Sequence, residues 1–115
     1  MHLALTEEQA LVADTARRFV EAELAPVAAQ VELPEFRSTY LANLKRLAEL
    51  GFMGLNVDPT YGGSGAGVVA FSVAVTEVAR ACASTAVAMS VNNLVAEVIQ
   101  AIGNDEQKER YVARI

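Results

Sequence analysis

Positive charge is scarce in this sequence: nine lysines and arginines stand against fourteen aspartates and glutamates, for a net charge of −5. No basic cluster stands out, so a nucleic-acid partner is not expected, because phosphate neutralisation needs basic residues gathered on one face. A lone cysteine, Cys82, excludes an internal disulfide framework and suits a reducing compartment, giving a cytoplasmic expectation. The one histidine, His2, sits in a terminus expected to fray, and no metal-ligand spacing is visible. The start "MHLALTEEQ" lacks the basic and then apolar pattern of a signal peptide. Within residues 68–102 no uncharged run reaches the roughly 18 residues of a spanning helix, so no membrane span is expected.

What is present is a helical pattern with short punctuation. At 53% hydrophobic and 20% charged, 115 residues form one folded domain with a modest core. "TEEQ" from Thr6 is a capping box, followed by Ala13, Ala16, Phe19, Val20 and Leu24 at helical spacing. Pro26 predicts an end or kink at Ala25, with a resumption to about Glu32. Pro34 opens a second helix with an apolar stripe at Leu41, Leu44, Leu47 and Ala48, closed by Gly51. "FMGLNVDPTYGGSGAG" then reads as a long irregular connection.

Residues 68–102 carry three charges only, Glu77, Arg80 and Glu97. Ser84 is the expected N-cap dividing them into helices near 68–82 and 85–102, with Gly103 closing the second. "NDEQ" at 104–107 is another capping box, opening a helix through Tyr111. That helix meets no stop signal by Ile115, an ending that looks cut. Helices apolar nearly all round are buried on several sides, and one small domain cannot cover two of them. Cover from outside these residues is expected.

Four of the seven glycines fall within "YGGSGAG", residues 61–67, which raises the question of a phosphate cradle. Neither template fits. Val68 stands where G-x-G-x-x-G needs its last glycine, no strand precedes it, and Val68 and Val69 replace the Lys-Ser/Thr of a P-loop. Cys82 has no histidine neighbour and reads as a small apolar residue. No nucleophile–base pair is visible, so the residues alone describe an all-α domain without a catalytic constellation.

"LTEEQ", "LAELGFMGLNVDPTYGGSGAG" and "MSVNNLVAEVIQAIGNDEQKERYVARI", in this order, resemble the N-terminal helical domain of acyl-CoA dehydrogenases. The similarity covers essentially residues 1–115. Asp58 departs from the residue many relatives carry before the proline. The resemblance implies an all-α bundle, orthogonal or up-down, of about five helices, followed in the parent enzyme by a β-domain and a C-terminal helical domain. It implies FAD held by those absent parts and a neighbouring subunit, hence a homo-oligomer. The implied reaction removes an α-proton and a β-hydride from an acyl-CoA thioester, leaving a trans-2-enoyl-CoA and passing electrons to an electron-transferring flavoprotein. The 115 residues alone are then expected to be inactive, and the glycine stretch is a connection.

The resemblance further implies that the helix of residues 85–102 lines the distal acyl pocket through Ala86, Ser90 and Leu94. The residues also permit a plainer arrangement: Ser90, Asn93 and Glu97 face water while Val87, Val91, Leu94, Val98 and Ile102 form the core. Asn92 reads as a hydrogen-bonded structural residue, and Tyr61 and Tyr111 as packing residues with hydroxyls at the surface. Two rivals remain open: a stand-alone helical interaction module, and the same fold in an acyl-CoA oxidase or flavin monooxygenase.

Overall fold

The computed structural model describes residues 3–114; Met1, His2 and the chain's last residue, Ile115, lie outside the described residues. Five α-helices carry the architecture: α1 (Glu7–Phe19), α2 (Arg37–Glu49), α3 (Val68–Ala81), α4 (Ala83–Ile102) and α5 (Asp105–Tyr111). No strand occurs among the described residues. Both capping boxes form. Thr6 accepts from Gln9 N at 3.2 Å while Gln9 Oε1 accepts from Thr6 N at 3.0 Å, and Asn104 and Gln107 repeat the exchange at 2.8 and 3.0 Å.

α1 and the turn that follows it bury the expected stripe, with Ala13, Ala16, Phe19, Val20 and Leu24 all inside. Pro26 does disturb the chain there, through a wider response than a simple kink. Val20–Leu24 unwinds into a π-turn, and Ala25–Gln30 continues as a 3₁₀ segment rather than resuming as an α-helix. Asn43 Nδ2 on α2 donates to the Glu23 carbonyl at 3.3 Å, and Arg46 pairs with the Glu23 carboxylate. This explains a correction to the α2 stripe. Leu47 is buried and Leu44 half-buried, but Leu41 and Ala48 are exposed, and Asn43 takes an inward position because the loosened turn needs its amide.

The expected Ser84 cap is also corrected. Cys82, extended at φ −148° and ψ 103°, is the single-residue break between α3 and α4. Its N–H donates to Val78 O and its carbonyl accepts from Ala86 N, so the new helix has already begun at Ala83. Ser84 lies exposed in the first turn, and Thr85 Oγ1 donates to Cys82 Sγ at 3.1 Å inside. Gly51 ends α2 in the left-handed region at φ +85°.

The main core joins α1, α3, α4 and the turn after α2 around Leu24, Leu47, Phe52, Val78 and Met89. Ala16, Ala70 and Ala74 are fully buried, small residues that let helices approach closely. A smaller cluster of Val57, Ala96 and Val112 fastens the glycine connection and the chain's end to α4, with Tyr61 packed on it. The whole is a slab of 40 × 39 × 18 Å, no more than two helices thick. Its radius of gyration, 14.6 Å, exceeds the roughly 13 Å of a rounded domain this size. A slab leaves broad faces open.

Candidate functional site

The glycine connection is closed to phosphate by its own hydrogen bonds. Five successive amides are consumed by backbone carbonyls: Gly62 N by Pro59 O, Gly63 N by Asp58 O, Ser64 N by Gly54 O, Gly65 N by Val57 O and Ala66 N by Leu55 O, all within 3.2 Å. A phosphate cradle needs such amides free and converging, so these residues do not fit the pyrophosphate of a dinucleotide. Gly63 is required by close approach, since a Cβ there would lie 2.2 Å from the Val57 carbonyl oxygen. Gly62 and Gly67 are required by backbone conformation, at φ +87° and +92°.

α4 holds this folded connection with three amide side chains. Asn92 Nδ2 donates to Met53 O at 2.8 Å, Asn93 Nδ2 to Phe52 O at 2.9 Å, and Gln100 Oε1 accepts from Asp58 N at 2.7 Å. Asn93 is fully buried and also reaches Met89 O at 3.0 Å, while its Oδ1 has no protein partner. Asn92 is thus a structural hydrogen-bonding residue, as expected. Asn93 corrects the plainer arrangement, because its amide is needed at Phe52 and cannot face water. Gln100 was not singled out in the sequence; an amide in a helix with one charge was the available signal.

The opposite flank of α4 is apolar and uncovered. Val87, Val91, Leu94, Val98 and Ile102, a candidate core stripe, are 47% to 82% exposed. At the α4–α5 corner, Val98, Ile102 and Tyr111 line an open groove of about 360 Å³. Tyr61 is half-buried and Tyr111 is 46% exposed beneath Arg110, whose guanidinium stands 5.4 Å from the ring centroid. α4 is long and apolar enough to cross a bilayer, a property it shares with core helices of soluble proteins.

Ala86, Ser90 and Leu94 are not equivalent. Ala86 is in the core, Ser90 is half-buried and Leu94 is 57% exposed. Steps of four residues overshoot a 3.6-residue turn by about 40° each, so the row climbs from the core to the open flank. Ser90 stands at the border.

Elsewhere, Glu77 is buried on α3 with Arg17 at 3.2 Å and Arg80 at 3.8 Å. The hydrogen bond to Glu77, then its charge, raise the Arg17 pKa, so that guanidinium stays charged throughout. Asp58 caps the Pro59–Tyr61 turn, and the Thr60 N–H donated to it holds its carboxyl below the ordinary value of 3.8. No three metal-ligating side chains converge among the described residues.

This helical slab, with its pinned glycine connection and long two-faced α4, matches the family model described as acyl-CoA dehydrogenase, N-terminal domain, over residues 6–115. The chain belongs to the acyl-CoA dehydrogenase family. It is 44% identical over 110 residues to the mitochondrial short-chain specific acyl-CoA dehydrogenase of Bos taurus, covering 95% of this chain and 26% of that protein. A chain solved in work on the electron transferring flavoprotein of Acidaminococcus fermentans and flavin-based electron bifurcation superposes with a TM-score of 0.88. It is 30% identical and covers all of this chain and 30% of its own length. Butyryl-CoA dehydrogenase from Megasphaera elsdenii gives a TM-score of 0.81 at 28% identity, covering 98% of this chain and 30% of its own. The acyl-CoA dehydrogenase N-terminal domain seen here therefore spans between a quarter and a third of the relatives it matches.

Proposed function

We propose that this domain is the N-terminal part of an FAD-dependent dehydrogenase of short acyl-CoA thioesters, working as a homo-oligomer and passing electrons to an electron-transferring flavoprotein. The observation that carries the reading is the 44% identity with a short-chain specific enzyme across nearly the whole domain. Bound flavin would supply the acceptor for the hydride lost from the substrate's β-carbon. This chain supplies shape. Ser90, at the border of the open flank, and Leu94 beyond it meet the end of the acyl group, with Ala86 packed behind them. The exposed valines of α4 are covered by the remainder of the enzyme. An apolar wall here excludes water and selects chain length, since each buried methylene contributes about 0.8 kcal/mol.

The test is made on the full-length enzyme. It is purified, its visible spectrum recorded, and butyryl-CoA added without oxygen. Bleaching of the flavin band and electron-transferring-flavoprotein-coupled turnover are expected. A colourless protein inert to acyl-CoA would support a helical interaction module instead. Flavin reoxidised by oxygen with peroxide release would move the assignment to an oxidase.

A further inference from the structure

We propose that Asn92, Asn93 and Gln100 are positioning residues that set the rotation of α4 about its own axis, and thereby which residues face the acyl chain. The inference rests on the reading of Ser90 and Leu94 as acyl-facing, with Ala86 packed behind them. The hydrophobic effect is non-directional, and α4 is apolar on both flanks. Its buried flank offers mostly small residues, Thr85, Ala86 and Ala96, with Met89, while six larger apolar residues stay outside. With both flanks apolar and the outer one covered in the enzyme, burial alone does not choose which turns inward. The helix instead buries Asn93 completely, at a position where its Nδ2 donates to two carbonyls and its Oδ1 meets no protein donor. Directional bonds from Asn92 and to Gln100 fix the same rotation at points eight residues apart. Their common target is the 52–58 segment, which is rigid because the following amides fold back on it.

One residue of slip turns a helix by about 100°. Far smaller rotations displace Ser90 and Leu94 relative to an acyl chain packed against them, and sub-ångström placement decides such contacts. The amides act on specificity without touching substrate.

The experiment compares the full-length enzyme with Asn92→Leu/Gln100→Met, with Gln100→Met alone, and with Gln100→Glu, which keeps an acceptor for Asp58 N. Asp58 is exposed, so its amide finds water in Gln100→Met, and that variant folds even where the double one does not. kcat/KM is measured with butyryl-, hexanoyl- and octanoyl-CoA, beside thermal stability. In the Met variants the octanoyl-to-butyryl ratio shifts by roughly threefold or more, the scale of mutations acting through a neighbouring element. Gln100→Glu restores the parent ratio. A ratio unchanged in the Met variants, with or without a lower melting temperature, overturns the proposal by reducing the amides to a stabilising role. Equal shifts in Gln100→Met and Gln100→Glu overturn it too. A parent enzyme that turns over none of the three thioesters overturns the underlying reading, and this inference with it.

Discussion

Asn93 on α4 donates its amide to the carbonyl of Phe52, 41 positions earlier, at 2.9 Å and with no exposure to water. The bond joins the longest helix to the turn that ends α2, and it buries a polar group beside a core cluster of alanine, valine, leucine, phenylalanine and methionine. Asn93→Leu leaves the Phe52 carbonyl without its donor, an expected loss of about 1–3 kcal/mol in urea unfolding. Asn93→Asp is expected to be worse at neutral pH, because a carboxylate there faces two carbonyls and is desolvated. Burial raises the folded pKa of that carboxyl, so its penalty is full above the raised value and disappears as pH falls below the ordinary one. An Asp variant whose deficit did not shrink on acidification would contradict the buried geometry.

The glycines separate two kinds of requirement. Gly63→Ala forces a Cβ into the Val57 backbone at 2.2 Å, whereas Gly62→Ala meets open space and only an unfavourable φ of +87°. We expect losses of about 2–3 kcal/mol for the first and about 1 kcal/mol for the second, by denaturant titration. Equal losses would mean that the 52–58 segment yields, and that the connection is not the rigid unit described.

Asp58 gives a pH signature. Its folded pKa is lowered by the Thr60 hydrogen bond, so its contribution is present above the ordinary value of 3.8 and lost as pH falls below it. Asp58→Asn keeps an acceptor oxygen without the titration. The stability difference between parent and variant should therefore hold steady from neutral pH to mild acid and shrink below 3.8. A difference constant to still lower pH would show that the carboxylate charge adds nothing to the cap.

Much of this architecture was legible in the residues, and the failures share a cause. Both capping boxes, the α1 stripe and the left-handed Gly51 follow from local rules that neighbours do not override. The π-turn at Val20–Leu24, the break at Cys82 and the burial of Asn43 and Asn93 depend on partners 4 to 41 positions away. Periodicity sorts α4 into two apolar flanks and cannot say which one turns inward. Only the carbonyls of Phe52 and Met53 decide that, and no spacing within 85–102 announces them. The same ambiguity left Ala86, Ser90 and Leu94 as a row of equals, when they run from core to surface.

Ser90, at the border of that row, carries the specificity prediction. In the full-length enzyme Ser90→Phe should fill space at the end of the acyl chain, so longer substrates lose about 0.8 kcal/mol for each methylene displaced. kcat/KM is expected to fall progressively with acyl length while butyryl-CoA is nearly unaffected. A flat ratio of variant to parent across lengths would remove Ser90 from the pocket.

The account turns on the open valine flank of α4 being an internal surface of a larger enzyme. Val91 is 50% exposed at the middle of that flank, and the native Cys82 is buried, so in the 115-residue chain a Val91→Cys variant offers a single accessible thiol, whose labelling is followed on its own peptide in both proteins. Its rate of reaction with a bulky maleimide is to be measured in the 115-residue chain at low concentration and in the full-length enzyme. The expected result is fast labelling in the former and a rate lower by roughly tenfold or more in the latter, since a covered thiol reacts only through local opening. Equal rates in the two would leave the flank facing solvent in the enzyme and contradict the account.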